Sequence, residues 1–246
     1  MVNIRCQDVT FSDVKAIIFD KDGTLADSEL FLRNLGYRRS RLIDAKIPGV
    51  QEPLLMAFGI EGDRMNPAGL MAIGTRRDNE IAAAAYVAET GRDWLEAQKL
   101  VQAAFVEADR YMPNKAEHTP LFEDSLETLR RLAIAGIKLG ILSADTSDNV
   151  LDFVKQHALQ DYLQLFIGID SGPGKPDPGL LQRACSALDV SSQATLMVGD
   201  SIADVQMAVS AQVGGCIAIV RGQTDPSSLS QADVLISQLS EIQICS

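Results

Sequence analysis

Short apolar runs, several of them β-branched, punctuate the chain, each stopping at a polar or glycine-containing turn: Ala16–Phe19, Ile137–Leu142, Leu165–Ile169, Thr195–Val198, Cys216–Val220 and Asp233–Ile236. Near-continuous runs this short suit strands buried on both faces, as in a parallel sheet. Helical spacing fills the gaps. Within Leu121–Ala135, apolar Phe122, Leu126, Leu129 and Leu132/Ala133 recur every three or four residues, and Gly136 follows as a C-terminal cap. Ser147–His157, Pro178–Leu188 and Ile202–Ala211 read the same way. Strand and helix in alternation predict a doubly wound parallel α/β domain.

Residues 28–113 break that alternation. Apolar-periodic segments at Leu30–Ile43, Glu80–Thr90 and Trp94–Met112 predict helices, with no convincing strand among them. Gly91 closes the second, and Asp93 with Glu96 resembles a capping box for the third. Trp94, Val101, Phe105, Ala108 and Met112 fall on one face of that third helix, a stripe that reads as core. The simplest organisation is an all-helical insertion just after the first strand. It gives a discontinuous α/β domain of residues 1–27 and 114–246 and a helical domain of residues 28–113.

Composition narrows the function classes. Over 246 residues the chain is 46% hydrophobic and 22% charged, an ordinary globular balance. Its net charge of -11 disfavours phosphate backbones and anionic lipid, so neither nucleic acid nor a membrane is an expected partner. No apolar stretch approaches the ~18 residues of a bilayer span. The first fifteen residues carry no apolar core of signal-peptide length. Cys6, Cys185, Cys216 and Cys245 form no CxxC pair and are expected as free thiols in a reducing cytoplasm.

The chemistry concentrates at Ile17-Ile18-Phe19-Asp20-Lys21-Asp22-Gly23-Thr24-Leu25. An apolar strand ends in a carboxylate, a second carboxylate follows two residues on, and a Gly-Thr turn comes next. Two acids so spaced reach one pocket wall when a strand opens into a turn, one to attack or bind metal and one to move protons. Taken alone, the same turn also reads as a solvated loop or a weak calcium loop. Three further segments close predicted strands or follow them: Ser143-Ala144, Gly174-Lys175-Pro176-Asp177-Pro178, and Gly199-Asp200-Ser201-Ile202-Ala203-Asp204. In an open parallel sheet such strand ends gather along the edge where ligands bind. A phosphate monoester brings two negative charges, and carboxylate attack on it requires their neutralisation by a divalent cation, a lysine and hydrogen-bond donors.

Taken together, D-x-D-G-T-L, the strand-terminal serine, the Lys-Pro loop and G-D-S-x-x-D resemble the four ordered motifs of the haloacid dehalogenase superfamily. The resemblance covers roughly the α/β portion and implies a Rossmannoid core. The insertion is similar in position and helical character to the small C1 cap of its phosphoglycolate phosphatase-like members. It implies a magnesium-dependent phosphatase acting on a small phosphorylated metabolite, of phosphoglycolate, sugar phosphate or nucleotide type. In that scheme Asp20 is the nucleophile and forms an aspartyl-phosphate, and Asp22 is the acid and base. Ser143, Ala144 and Lys175 bind phosphate; Asp20, Asp22 through its backbone carbonyl, and Asp200 hold Mg2+. Thr24 holds the turn, and Asp204 acts through water or orients the loop. A phosphomutase of the β-phosphoglucomutase type is the alternative reading, and a catalytically silent binding protein on the same fold a further one.

Lys21 stands where phosphatases of the superfamily more often carry an apolar residue, and reads as a tolerated departure. Asp27-Ser28 and Tyr111–Pro120 are the expected hinge connections. Arg76 and Arg77, beside Gly74, are candidates for clamping a substrate anion. Arg38, Arg39 and Arg41 read as a solvated helix face, and His118 and His157 as packing or surface residues. A monomer or homodimer is expected.

Overall fold

A computed structural model describes residues 2–222 and 224–245. The chain opens with an antiparallel pair, β1 (Asn3–Cys6) and β2 (Val9–Phe11), and then enters β3 (Ala16–Phe19). Next come α1 (Glu29–Asp44), α2 (Gln51–Phe58), a hairpin of β4 (Ile60–Glu61) and β5 (Arg64–Met65), α3 (Leu70–Ile73), α4 (Arg76–Glu89) and α5 (Trp94–Tyr111). Helix and strand then alternate through α6 (Ser125–Ile134), β6 (Lys138–Leu142), α7 (Ser147–Gln156), β7 (Leu165–Ile167), α8 (Pro178–Ala187), β8 (Thr195–Gly199), α9 (Ile202–Ala211) and β9 (Gly215–Ile219), after which a short 3-10 turn leads to β10 (Val234–Ile236). Strand β11 (Gln243–Cys245) returns to pair with β1.

All six runs singled out in the sequence become one parallel sheet in the order β10-β9-β8-β3-β6-β7. The period of two decides the faces. Ile17, Phe19, Ile141, Val198 and Ile217 pack into one core cluster, whereas Ile18, Leu142, Met197 and Ala218 pack into the other. From β3 the chain builds outward through β6 and β7 and then crosses to β8 on the opposite flank. The β3–β8 boundary is therefore the switch point, where an open α/β sheet presents its crevice.

The opening segment, for which no strand was expected, supplies two of the three strands in a second sheet, ordered β11-β1-β2. Ile4 pairs with both Phe11 and Ile244, and Ile4, Cys6 and Phe11 are buried against the main core. Gly215 lets the Phe11 ring lie against its bare Cα, because a Cβ there would overlap the ring.

The helices from α1 to α5 bury their own apolar cluster, including Leu35, Ile43, Leu54, Phe58, Val87, Val101 and Phe105. Three expectations for this region are corrected. The insertion contains the β4–β5 hairpin as well as helices, α2 and α3 were not foreseen, and the stripe on α5 begins at Ala97 rather than Trp94. Asp93 caps α5 by accepting from the Glu96 N–H at 2.9 Å, and Trp94 in the first turn is 44% exposed. Among the described residues no helix is long and apolar enough to cross a membrane. The four cysteines are free.

Burial on α5 is directly testable. Phe105→Ala should cost about 3–5 kcal/mol in urea unfolding, while Trp94→Ala on the same helix should cost less than about 1 kcal/mol. Similar losses for the two would contradict an inward face running from Ala97 to Ala108 on α5.

Candidate active site

The site is assembled at the carboxyl ends of β3 and β8. The Asp20 N–H still donates to the Val198 carbonyl at 2.8 Å, so the strand is pinned when its first carboxylate emerges. The chain then turns back on itself, with Ala26 N–H on Lys21 O at 2.9 Å and Gly23 N–H on Ala26 O at 2.9 Å. Gly23 has φ +82°, and any Cβ there would overlap the Asp200 carboxylate. Thr24 Oγ1 donates to Asp200 Oδ1 at 3.0 Å, fastening the turn to the loop after β8. Asp204, fully buried in the first turn of α9, accepts from the Ser201 hydroxyl at 2.6 Å and N–H at 3.2 Å. A capping box thereby aims it at the crevice.

Carboxylate oxygens of Asp20, Asp200 and Asp204 lie within 4.8 Å of one another. Lys175 Nζ bridges two of them, at 2.5 Å from Asp20 Oδ1 and 2.7 Å from Asp204 Oδ1. Burial pushes the Asp20 carboxyl up to about 6 against the pull of Lys175, and Asp204 adds to the rise. Burial, with Asp20 and Asp204 nearby, pushes Asp200 well above the ordinary carboxylate range. Three carboxylates face one ammonium, so the ionised cluster carries a surplus of two negative charges. An all-oxygen donor set with that surplus fits a divalent cation.

Asp22 belongs to a different cluster. Its Oδ2 accepts from Lys21 Nζ at 2.6 Å and Lys115 Nζ at 2.9 Å. Asp145 Oδ2 lies 2.7 Å from Lys115 and 3.2 Å from Lys21. Two carboxylates and two ammoniums balance. Burial alone would raise both carboxyls, but Lys115 and Lys21 outweigh it and hold Asp22 and Asp145 below the usual range. Among the described residues Asp22 Oδ1 is buried without a hydrogen-bond partner, leaving one acceptor position free.

Two cavities meet at Asp22. The first, about 250 Å³, is lined by Asp20, Asp22, Ser143, Ala144, Lys175 and Asp200, and continues past Met65 and Arg221. Ser143 is buried, and its Oγ accepts from the Asp145 N–H at 3.2 Å. The second, about 390 Å³, runs from Asp22, Ala144 and Asp145 beneath α1, α4 and α5 to Arg39 and Arg76.

The sequence profile of the family described as haloacid dehalogenase-like hydrolase matches residues 14–212, most of the chain. The chain belongs to the haloacid dehalogenase-like hydrolases. It is 29% identical over 238 residues to a phosphoglycolate phosphatase of Aliivibrio fischeri, covering 92% of this chain and 93% of that one. A phosphoglycolate phosphatase of Vibrio vulnificus is 28% identical over 239 residues, covering 95% and 96%. The crystal structure of a predicted phosphoglycolate phosphatase from Haemophilus somnus superposes with TM-score 0.71 at 20% identity, covering 94% and 96%, a likeness of fold.

Within this hydrolase the expected site residues separate into groups. Asp20, Asp22, Ser143, Ala144, Lys175 and Asp200 line the first cavity, while Thr24 and Asp204 brace it. Arg76 lies on the second cavity with its donors engaged, 2.9 Å from Glu80 and 2.5 Å from Asp109. Arg77 is 55% exposed beside Glu80 and lines neither of these two cavities. His118 is exposed beside the Phe31 ring, and His157 packs 3.1 Å from the Thr119 carbonyl.

Four residues gained a place that pattern reading withheld. Lys21 is no idle departure: it is 1% exposed, 5.4 Å above the Phe153 ring, and neutralises Asp22. Lys115 and Asp145 complete its cluster, and no local motif marked them. Arg39 leaves the solvated face expected for it, being 5% exposed inside α1, although Arg38 and Arg41 do face solvent. Its signal was positional, since Leu32, Leu35, Arg39 and Ile43 share one helical stripe.

Removing Lys21 leaves two largely buried carboxylates to a single ammonium. Lys21→Ala should therefore destabilise the protein by about 3–5 kcal/mol in denaturant titration at neutral pH. A loss under about 1 kcal/mol would show that this ion pair contributes little.

Proposed function

We propose that this hydrolase is a magnesium-dependent phosphatase of a small phosphorylated metabolite, with Asp20 forming an aspartyl-phosphate. The observation that carries the reading is the Asp20 carboxylate at the head of β3, held by Lys175 at 2.5 Å beside Asp200 and Asp204. Magnesium, held by Asp20, Asp200 and the Asp22 backbone carbonyl, would supply positive charge opposite the phosphoryl oxygens. The remaining work falls to the protein's own groups.

Lys175 orients the Asp20 carboxylate and adds a point charge beside the transferring group. Ser143 and the Ala144 backbone donate to equatorial phosphoryl oxygens in the first cavity. An Asp20 oxygen bonds to phosphorus as the ester oxygen departs; Asp22 enters this step protonated, carries the proton on its unpartnered Oδ1 and passes it to that oxygen. Water then attacks the acyl phosphate, losing a proton to Asp22 and returning Asp20 as carboxylate with free phosphate. Lys21 and Lys115 favour the ionised form of Asp22, which is the form this second half-reaction uses. Asp204 acts by holding Lys175 and capping α9 rather than by touching substrate.

The helical segment of residues 28–113 works as a cap that covers the cavities and excludes water. The name carried by the Aliivibrio and Vibrio relatives puts phosphoglycolate first among compounds to assay. Four free thiols support a cytoplasmic setting.

Asp20→Asn should lower kcat for an aryl phosphate on the order of 10³-fold or more, and trapped phosphoprotein should disappear with it. Retained turnover would remove Asp20 as nucleophile. Exhaustive chelation should abolish phosphate release and added Mg2+ restore it; full activity in chelator would refute metal dependence. Release of free phosphate, rather than its reappearance on another carbon of the substrate, separates this reading from a mutase.

A further inference from the structure

Gly174, the residue before Lys175, lacks a side chain for a steric reason. Its φ lies outside the left-handed region, so the backbone does not demand glycine there. The demand comes from the inserted segment. A Cβ on Gly174 would lie 2.8 Å from Thr75 Cγ2, whereas its next neighbours, Asp78 Oδ2 and Ile169 Cδ1, would stand at 3.9 Å. Thr75 is buried at the head of α4, and its polar atoms are all engaged within the inserted segment. Its N–H and hydroxyl donate to Asp78 Oδ2 at 2.8 and 2.7 Å, and its Oγ1 accepts from the Asp78 N–H at 3.1 Å. Its carbonyl accepts from Asn79 Nδ2 at 2.8 Å. These bonds fix the side chain and leave the γ-methyl as the group turned toward the Lys175 loop.

What each partner is joined to gives the contact its meaning. Gly174 begins a turn closed by the Asp177 N–H on its carbonyl at 3.0 Å, and Asp177 caps α8 by accepting from the Gly179 N–H at 2.7 Å. Lys175 reaches from that turn to Asp20 and Asp204, so pressure on Gly174 bears on the ammonium that holds both carboxylates. Thr75 lies deep within the inserted segment, far along the chain from both of its connections to the α/β core. Resting on the phosphatase reading, we infer that the Thr75 methyl against the bare Cα of Gly174 is the seat of the cap, setting how closely it closes and holding the Lys175 loop in register with Asp20. The contact is made when the cap is down on the crevice and lost when it lifts. Thr75 and Gly174 are positioning residues that act through Lys175; neither lines the first cavity.

A bump and its compensating hole test this. Gly174→Ala should lower kcat/KM for an aryl phosphate with Mg2+ about 10- to 100-fold, because the added methyl holds the cap off its seat. Thr75→Ser keeps the capping hydroxyl and removes only the methyl that the new Cβ would strike. Alone it should cost about two- to fivefold, yet added to Gly174→Ala it should restore at least about fivefold. That reversal of sign is not produced by an effect of alanine confined to the loop. Hydrogen exchange gives a readout without turnover: in Gly174→Ala, amides of residues 73–80 and 172–178 should exchange faster than in the wild type, and in the double variant return toward it. Activity of Gly174→Ala within about threefold of the wild type, no recovery in the double variant, or unchanged exchange would each overturn the inference. Circular dichroism checks folding. If Gly174→Ala alone does not fold, Thr75→Ser carries the test: faster exchange at residues 172–178 supports the seat, and unchanged exchange overturns it. Absence of turnover by the wild type counts against the phosphatase reading, whereas exchange judges the seat itself.

Discussion

One ammonium holds the catalytic edge together. Lys175 arrives from a loop distant in sequence and sits between Asp20, at the end of β3, and Asp204, in the first turn of α9. Without it, three clustered carboxylates, two of them buried, would repel one another across the switch point of the sheet. With it, the loops after β3 and β8 and the Gly174-Lys175-Pro176 segment converge on one crevice. The glycines answer the same crowding: side chains at Gly23 and Gly199 would intrude on the carboxylates of Asp200 and Asp204.

The alternation of side chains around the turn after β3 then sorts charge into two compartments. Asp20 faces a cluster with excess negative charge, which invites a cation. Asp22 faces Lys21 and Lys115, where charge already balances against Asp145. Two acids separated by a single residue thus shift in opposite directions, Asp20 up through burial and Asp22 down because Lys115 and Lys21 outweigh its burial.

The α/β frame was readable because each central strand is buried on both faces and so is written as an unbroken apolar run. Helices α6 to α9 were readable from their stripes. The sheet β11-β1-β2 was not, since its strands are short and alternate polar with apolar residues, with a partner at the far end of the chain. The β4–β5 hairpin is two residues a side, below what any periodicity registers. At the site, the D-x-D-G-T and G-D-S-x-x-D segments were visible as strand-end chemistry, whereas Lys21 and Lys115 depend on which lysines meet across the fold. Arg39 was hidden by its company, one inward arginine among two that face water.

Lys115 lies on the return connection from the helical segment, yet its ammonium is spent on Asp22 and Asp145 in the α/β core. Chimeras that exchange helical segments between relatives consequently have two inequivalent seams. A splice at residue 113 keeps this lysine with its carboxylates, whereas one at residue 120 hands the recipient core whatever residue the donor carries there. In the second case Asp22 and Asp145 inherit a foreign neighbour, and a graft meant to alter specificity alone also rewires the proton chemistry.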